Sequence, residues 1–475
     1  MPLHPTAQTQ HAIGALVGSA VGDALGAPFE FQESGLYRAR FPQPVIAGRG
    51  EMIGGGANGS GMWAPGEFTD DTHMALAIAE SLLVHGALDA TDVWSRWRAW
   101  AKTAKDVGIL TRLALSRATP TGAALFAHTE NGGKSAGNGS LMRNTPVPLF
   151  TLRAPRASAI ALAQAQSQLT HHDRANDEGV ALHTAMVRAG LLGEDIFAAI
   201  EDVIATFEPA RQTTWRPLLD SAWTPAQAKF GNGTVWTCLA QAVWSVRRAR
   251  DFEEAVTTAV NLGDDADTVG CVAGSLAGAR FGIQAIPSRW TTYVHGAMHT
   301  PSGEQRYDFV ALQEVARRLL GHKPVAFAPS EDEGGPTRVH DDVPIYAADL
   351  SAASKAPIDW AVVSLCRTGG AFAQHAVRRE VFLIDQYEEH DNANACAALS
   401  DAVRSIDALL AENPTRPVLV HCHGGRSRTG FVLKAWAMRR HGWNEREAHA
   451  WLTKSWDRVH TNNPVFLRVL RDEWR

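Results

Sequence analysis

Near Ala328 the hydrophobic pattern of this sequence changes period, so no single bundle or sheet accommodates the whole chain. Before that point apolar residues recur at three- and four-residue spacing, as in Thr72–His85 (THMALAIAESLLVH), Ala157–Leu169 and Ala255–Leu262. That is the pattern of helices with one buried face, and it predicts an all-α region. After it come apolar runs of strand length, Trp360–Leu365, Val381–Ile384 and Pro417–Val420, with helical stretches at Ala397–Leu410 and Phe431–Arg440. Buried strands alternating with helices imply an α/β domain with a mostly parallel sheet. Between the two patterns lies Ala328–Pro336 (APSEDEGGP), whose prolines, glycines and acids show no apolar period and read as a linker.

A chain of 475 residues exceeds what one core organises, in keeping with that division. Glycine- and alanine-rich stretches such as Cys271–Phe281 (CVAGSLAGARF) imply helices packed backbone against backbone. A helix-interior glycine costs about 1 kcal/mol relative to alanine, so its repetition needs a packing reason. The formal net charge of -5 gives no sign of a nucleic-acid or membrane-surface partner. Five cysteines without a CxxC pair argue against a disulfide framework or zinc site and fit a reducing cytoplasm. The apolar N-terminal stretch has no basic lead and is broken by Gly14, Gly18 and Gly22 before Asp23. It reads as a small-residue helix, not as a signal peptide or membrane span.

The most informative stretch is Val418-Leu-Val-His-Cys-His-Gly-Gly-Arg-Ser-Arg-Thr-Gly430. A buried strand delivers Cys422, a short loop follows, and a helix starts near Arg428. Gly424 and Gly425 let backbone N–H groups turn inward around an anion, and the helix N-terminus adds partial positive charge there. Both favour a nucleophilic thiolate at Cys422. Arg428, six positions on, can clamp two phosphate oxygens. The chemistry is attack on a phosphate monoester through a phosphocysteine.

These residues resemble the HCxxxxxR signature of the protein tyrosine phosphatase superfamily, and the domain's size and element order look like the compact dual-specificity phosphatases. The resemblance covers 344–475 and leaves 326–343 as linker. It implies that Cys422 is the nucleophile, that Arg428 binds phosphate with Gly424 and Gly425 in the cradle, and that Thr429 polarises the leaving sulfur. It also calls for an aspartic acid on an earlier loop to protonate the leaving oxygen. Asp385 directly follows the apolar run Val381–Ile384, where a strand would empty into that loop, and is preferred. Asp391 lies nearer the usual spacing and stays the alternative.

Two aspartate clusters stand out earlier, Phe68-Thr-Asp-Asp-Thr72 and Gly263-Asp-Asp-Ala-Asp-Thr268, each opening a helix. One such cluster would serve as a cap. Two supply more carboxylate than capping needs and suit hard divalent cations bound through oxygen. Gly22-Asp-Ala-Leu-Gly26 with Glu30, the FTDDT segment, Asp106-Val-Gly108, Gly137-Asn-Gly-Ser-Leu-Met142 and GDDADTVG resemble, as an ordered set over 10–325, the ADP-ribosylglycohydrolase family. That includes the dinitrogenase-reductase-activating glycohydrolases.

The resemblance implies an all-α fold and two divalent cations, magnesium or manganese, held by Thr69, Asp70, Asp71, Asp265, Asp267 and Thr268. Asp264 would be a helix-start neighbour. Glu30, as a catalytic residue, and Asp106 would lie near the substrate ribose, with Gly137, Asn138, Gly139 and Ser140 along the diphosphate. His171 and His172 would at most line the site. The cations would polarise ribose hydroxyls and activate water for attack at the anomeric carbon.

The chain therefore reads as a bifunctional hydrolase, removing ADP-ribose from a protein or small adduct and phosphate from a phosphorylated protein or small ester. A different class of reading makes the first domain a non-catalytic ADP-ribose-binding module that targets the phosphatase. A third has both sites act in turn on one nucleotide-derived metabolite.

Overall fold

The computed structural model describes residues 3–56, 61–324, 334–389, 392, 394–460 and 462–474. Residues 326–333 of the expected linker and Asp391 lie outside the described residues. The later part of that linker is not one, since Thr337–Arg338 form a strand and Val339 and Val343 are buried in a core. Two compact units emerge: one of Met1–Gln43, Glu51–Ile286 and Tyr293–Pro324, the other of Pro44–Gly50, Pro287–Thr292 and Val325–Arg475.

The first unit is helical. Helix α1 (Pro5–Gly26) starts behind His4 with Pro5 at its first position, where a missing N–H costs nothing. Helix α2 (Asp70–His85) is capped by Thr69 and stops at Gly86. Helix α3 (Arg174–Leu192) is capped by Asp173 and stops at Gly193. Helix α4 (Ala266–Phe281) starts behind Asp265.

By length and composition α1 with its following turn is apolar enough to cross a membrane, yet 94% of its most apolar window is buried inside the unit. It is a core helix.

The glycines explain how it packs. Gly14, Gly18, Gly22 and Gly26 of α1 press on the α4 backbone at Gly278, Gly274, Gly270 and Asp267. A Cβ on Gly14 would stand 2.6 Å from the Gly278 carbonyl oxygen. The close helix pairing expected from the small residues is present, and it joins the helix that carries Asp23 to the one that opens with Asp265 and Asp267.

One antiparallel hairpin, β1 (His295–Thr300) with β2 (Gly303–Asp308), accompanies the helices. The sequence reading did not single it out.

The second unit holds a five-stranded sheet of β3 (Thr337–Arg338), β4 (Ile345–Ala348), β5 (Ala361–Ser364), β6 (Arg378–Glu380) and β7 (Val418–His421), in the order β3-β4-β7-β5-β6. Strands β4, β7, β5 and β6 run parallel, and β3 is antiparallel to β4. Alternate residues face opposite cores: Val363, Val418 and Val420 one way, Val362 and Leu419 the other. Helices α5 (Ala395–Glu412) and α6 (Ser427–His441) cover the larger core.

Two of the three expected strands are present. The third is displaced: the ladder occupies Arg378–Glu380, and Val381–Ile384 runs beyond it as irregular chain. The Val381 N–H donates to Ser364, then the Leu383 N–H turns back on Val381 at 3.1 Å. Val381 and Leu383 are buried as core filling, not as ladder.

The two early segments are bonded within this unit. The Ser288 N–H donates to Asp401 at 3.0 Å, and the Glu380 N–H donates to the Thr292 hydroxyl at 2.9 Å. Arg379 donates to the Ile46 carbonyl at 2.8 Å.

Candidate active sites

In the first unit the two acid clusters meet. Asp23, fully buried in α1, accepts from the Thr69 N–H at 2.9 Å, the Thr72 N–H at 3.1 Å and the Thr72 hydroxyl at 2.6 Å. It thereby fixes the start of α2, from which Asp70 and Asp71 project. Asp71 Oδ2 accepts from the Thr69 hydroxyl at 3.4 Å and from the Thr268 hydroxyl, 197 residues away, at 3.5 Å. Asp71 Oδ1 is buried with no hydrogen-bond partner. Asp265 takes a hydrogen bond from the Asn138 amide at 2.8 Å, and its N–H donates to Asn232 at 2.9 Å.

Asp264 stands apart with φ +54. Its carbonyl accepts from the Phe31 N–H and its own N–H donates to Gln32. This backbone bridge ties the segment after Glu30 to the start of α4.

Glu30, Asp70, Asp71, Asp106, Asp265, Asp267 and Thr268 line one cleft of about 850 Å3, with Gly137, Asn138 and Gly139 on its wall. Ser140 is buried behind that wall, accepting from the Ser167 hydroxyl at 2.9 Å. His171 sits beneath the glycine loop: a Cβ on Gly139 would lie 3.1 Å from its ring. Burial pushes the His171 imidazole down to about 3. His172 is exposed and packs on His128 instead, their ring centres 5.1 Å apart.

The electrostatics of the cleft are those of crowded carboxylates. Burial, then neighbouring acids, hold Asp70, Asp71 and Asp267 well above the usual carboxylate range. Glu30 is pushed up to about 8 by burial and by Asp265 and Asp106, and Asp23 to about 6 by burial. Among the described residues no three His, Cys, Asp or Glu side chains are already drawn together as ligands of one ion. The donor set nevertheless fits a hard divalent cation: facing carboxylates and threonine hydroxyls, one carboxylate oxygen unpartnered, and like charges acting on one another.

Asn232, Phe230 and Trp236 were not singled out from the sequence, and Asp23 was read only as part of the Gly22–Gly26 motif, with no role given to it. Asp23 had a signal, a carboxylate inside an otherwise apolar helix. Phe230 and Trp236 line the cleft with ring centres 5.6 Å apart, and nothing in their spacing marks them.

In the second unit, strand β7 delivers Cys422, 2% exposed, to a loop that runs into α6. Gly425 has φ +60, and a Cβ there would collide with the backbone at Ala348 and Asp349. A glycine is required at that position. Gly424 has open space around it and no such demand. The loop is pinned from outside. The Leu350 N–H donates to the His423 carbonyl at 3.1 Å, and the Trp456 indole N–H donates to the Gly425 carbonyl at 2.8 Å.

Thr429 is fully buried and its hydroxyl has no partner. Arg428 is tied to the carbonyls of Leu365 at 3.3 Å and Leu383 at 3.2 Å. Asp385 is brought to the loop, its Oδ1 accepting from the Ser427 hydroxyl at 2.8 Å.

A family model for ADP-ribosylglycohydrolase matches residues 4–326, and one for the dual specificity phosphatase catalytic domain matches residues 351–473. The chain is 33% identical over 298 residues to ADP-ribosyl-[dinitrogen reductase] glycohydrolase of Rhodospirillum rubrum, an alignment covering 59% of this chain and 88% of that one. It is 30% identical over 337 residues to ADP-ribosylarginine hydrolase Tri1 of Pseudomonas putida, covering 68% and 81%. A solved structure titled ADP-ribosylglycohydrolase-related protein complex superposes with a TM-score of 0.50 and 31% identity, covering 66% of this chain and 98% of that one.

Proposed function

Because the chain belongs to the ADP-ribosylglycohydrolase family and carries a dual-specificity phosphatase domain behind it, we propose a metal-dependent glycohydrolase and a phosphocysteine-forming phosphatase on one polypeptide. The first unit hydrolyses ADP-ribose adducts. The adduct to test first is ADP-ribosylarginine, since one relative is named for its hydrolysis.

Thr69, Asp70, Asp71, Asp265, Asp267 and Thr268 would hold two divalent cations, magnesium or manganese. When bound, these would polarise ribose hydroxyls and activate water. Asp23 orients the α2 half of the ligand set, and Asn138 with Asn232 orients the α4 half. The loop at Gly137–Gly139 gives the diphosphate a close approach to backbone, and Glu30 and Asp106 face the ribose.

The single observation carrying this reading is the convergence of Thr69 and Thr268 on Asp71. The test is release of ADP-ribose from ADP-ribosylarginine by the intact chain with chelator, and with magnesium or manganese restored. Turnover that chelation leaves unchanged would refute it.

In the second unit Cys422 Sγ attacks the phosphorus of a monoester, and the leaving oxygen takes a proton from Asp385. Water then cleaves the phosphocysteine. Arg428 binds the phosphoryl oxygens, and the Thr429 hydroxyl assists the departing sulfur. The closeness of Asp385 to Ser427, at the head of α6, supports Asp385 as the acid. Trapping of phosphocysteine after rapid acid quench is the direct test, and Cys422→Ser should abolish it.

A further inference from the structure

Asp385 is gripped by two donors on the same oxygen. The Ser427 hydroxyl and the Asn463 side-chain amide both donate to Oδ1, at 2.8 and 3.1 Å. The same amide donates to the Gln386 carbonyl at 2.9 Å.

Asn463 is 1% exposed, and its own Oδ1 accepts from the Val465 and Phe466 N–H groups at 3.1 and 3.3 Å. Those N–H groups open the short helix α7 (Pro464–Arg468). Since they require an acceptor, the amide is fixed with its oxygen toward α7 and its nitrogen toward Asp385. Helix capping explains the oxygen. It leaves both donations from the nitrogen without a purpose.

A carboxyl group that donates a proton must carry it on one oxygen, and an oxygen accepting two hydrogen bonds is the wrong one. We propose that Asn463, assisted by Ser427, is a positioning residue for phosphate-ester cleavage. By occupying Oδ1 it places the transferable proton of Asp385 on Oδ2 and keeps the group from turning over. The inference rests on the reading of Asp385 as general acid. Balance is simple: the proton leaves Asp385 Oδ2 as the bond from phosphorus to the ester oxygen breaks, giving a neutral alcohol and the Asp385 carboxylate.

The test uses the intact chain and two substrates, phenyl phosphate and nitrophenyl phosphate. Nitrophenoxide departs with little protonation, whereas phenoxide needs the acid. Asn463→Ser keeps an oxygen for the α7 N–H groups and loses the amide donor. It should lower kcat on phenyl phosphate roughly tenfold while kcat on nitrophenyl phosphate and both KM values stay within about twofold. Ser427→Ala, which does not touch the α7 cap, should move the ratio in the same direction and decides the matter if Asn463→Ser unfolds. In an Asp385→Asn background neither change should add to the leaving-group sensitivity.

If Asp385→Asn alone leaves the phenyl-to-nitrophenyl ratio unchanged, the acid assignment fails and the inference with it. If Asp385→Asn shifts the ratio but both positioning variants slow the two substrates equally, or not at all, the positioning role is overturned and the acid stands.

Discussion

Asp71 has one carboxylate oxygen shared by two threonine hydroxyls and another with no partner, in a cleft where every strong neighbour is another acid. Asp71→Asn removes one carboxyl from the buried, crowded cluster while keeping the shape. In chelator it should stabilise the intact chain by on the order of 1–3 kcal/mol and so raise its melting temperature. If the proposed cation site is right, magnesium or manganese should raise the wild-type melting temperature, and by less in this variant. Thermal melts with and without each ion measure both effects, and a variant no more stable than wild type in chelator would contradict the crowding. Cys422→Ser should abolish phosphatase turnover and leave ADP-ribose release intact, because the serine hydroxyl is far less ionised than a thiolate.

His421 supplies the pH test. Burial pushes its imidazole down to about 3, and its Nε2 lies 2.8 Å from the Ser364 hydroxyl. The folded chain holds it neutral while the unfolded chain protonates it below about 6.5, so its contribution is intact above that pH and drains away as pH falls. Between about pH 6 and pH 4 the loss approaches 1.4 kcal/mol per unit. Denaturant titrations across that window should show a shallower slope for His421→Gln.

At the scale of elements, the pairing of α1 with α4 sets where the two acid clusters stand. Gly22→Ala puts a methyl group into the Gly270 backbone. Overpacking of this kind costs about 1–3 kcal/mol or more and shifts backbone. It should lower ADP-ribose release and the melting temperature together while phosphatase turnover holds, as parallel assays would show.

The sequence made close backbone packing legible, because repeated glycines within a helix have few other uses, but it did not say that α1 and α4 are each other's partners. It also made legible the strand, loop and helix around Cys422, whose residues are adjacent in the chain. The run Val381–Ile384 misled, since apolar residues filling a core from irregular chain look the same as a buried strand. The strand-exit argument for Asp385 therefore rested on a strand that ends at Glu380. What brings Asp385 to the loop is its bond to Ser427, 42 residues on. Asn463 was illegible for a related reason: Asn before Pro reads as a plain helix cap, and its second task depends on a partner 78 residues away.

For the whole molecule, the second unit is not a continuous stretch of sequence. Asp401 is partly buried, and the Ser288 N–H is one of the groups that satisfy it. A fragment of 334–475, which keeps β3, lacks that donor, the Thr292 hydroxyl and the Ile46 carbonyl. Losing hydrogen bonds to buried groups costs about 1–3 kcal/mol each. The fragment should denature at clearly lower urea than the phosphatase transition of the intact chain, and equal midpoints would contradict the account. The heritable unit is thus larger than the catalytic sequence. A genetic crossover at the linker separates Cys422 from residues 44–50 and 287–292, and a gene that acquired the phosphatase that way would receive it incomplete.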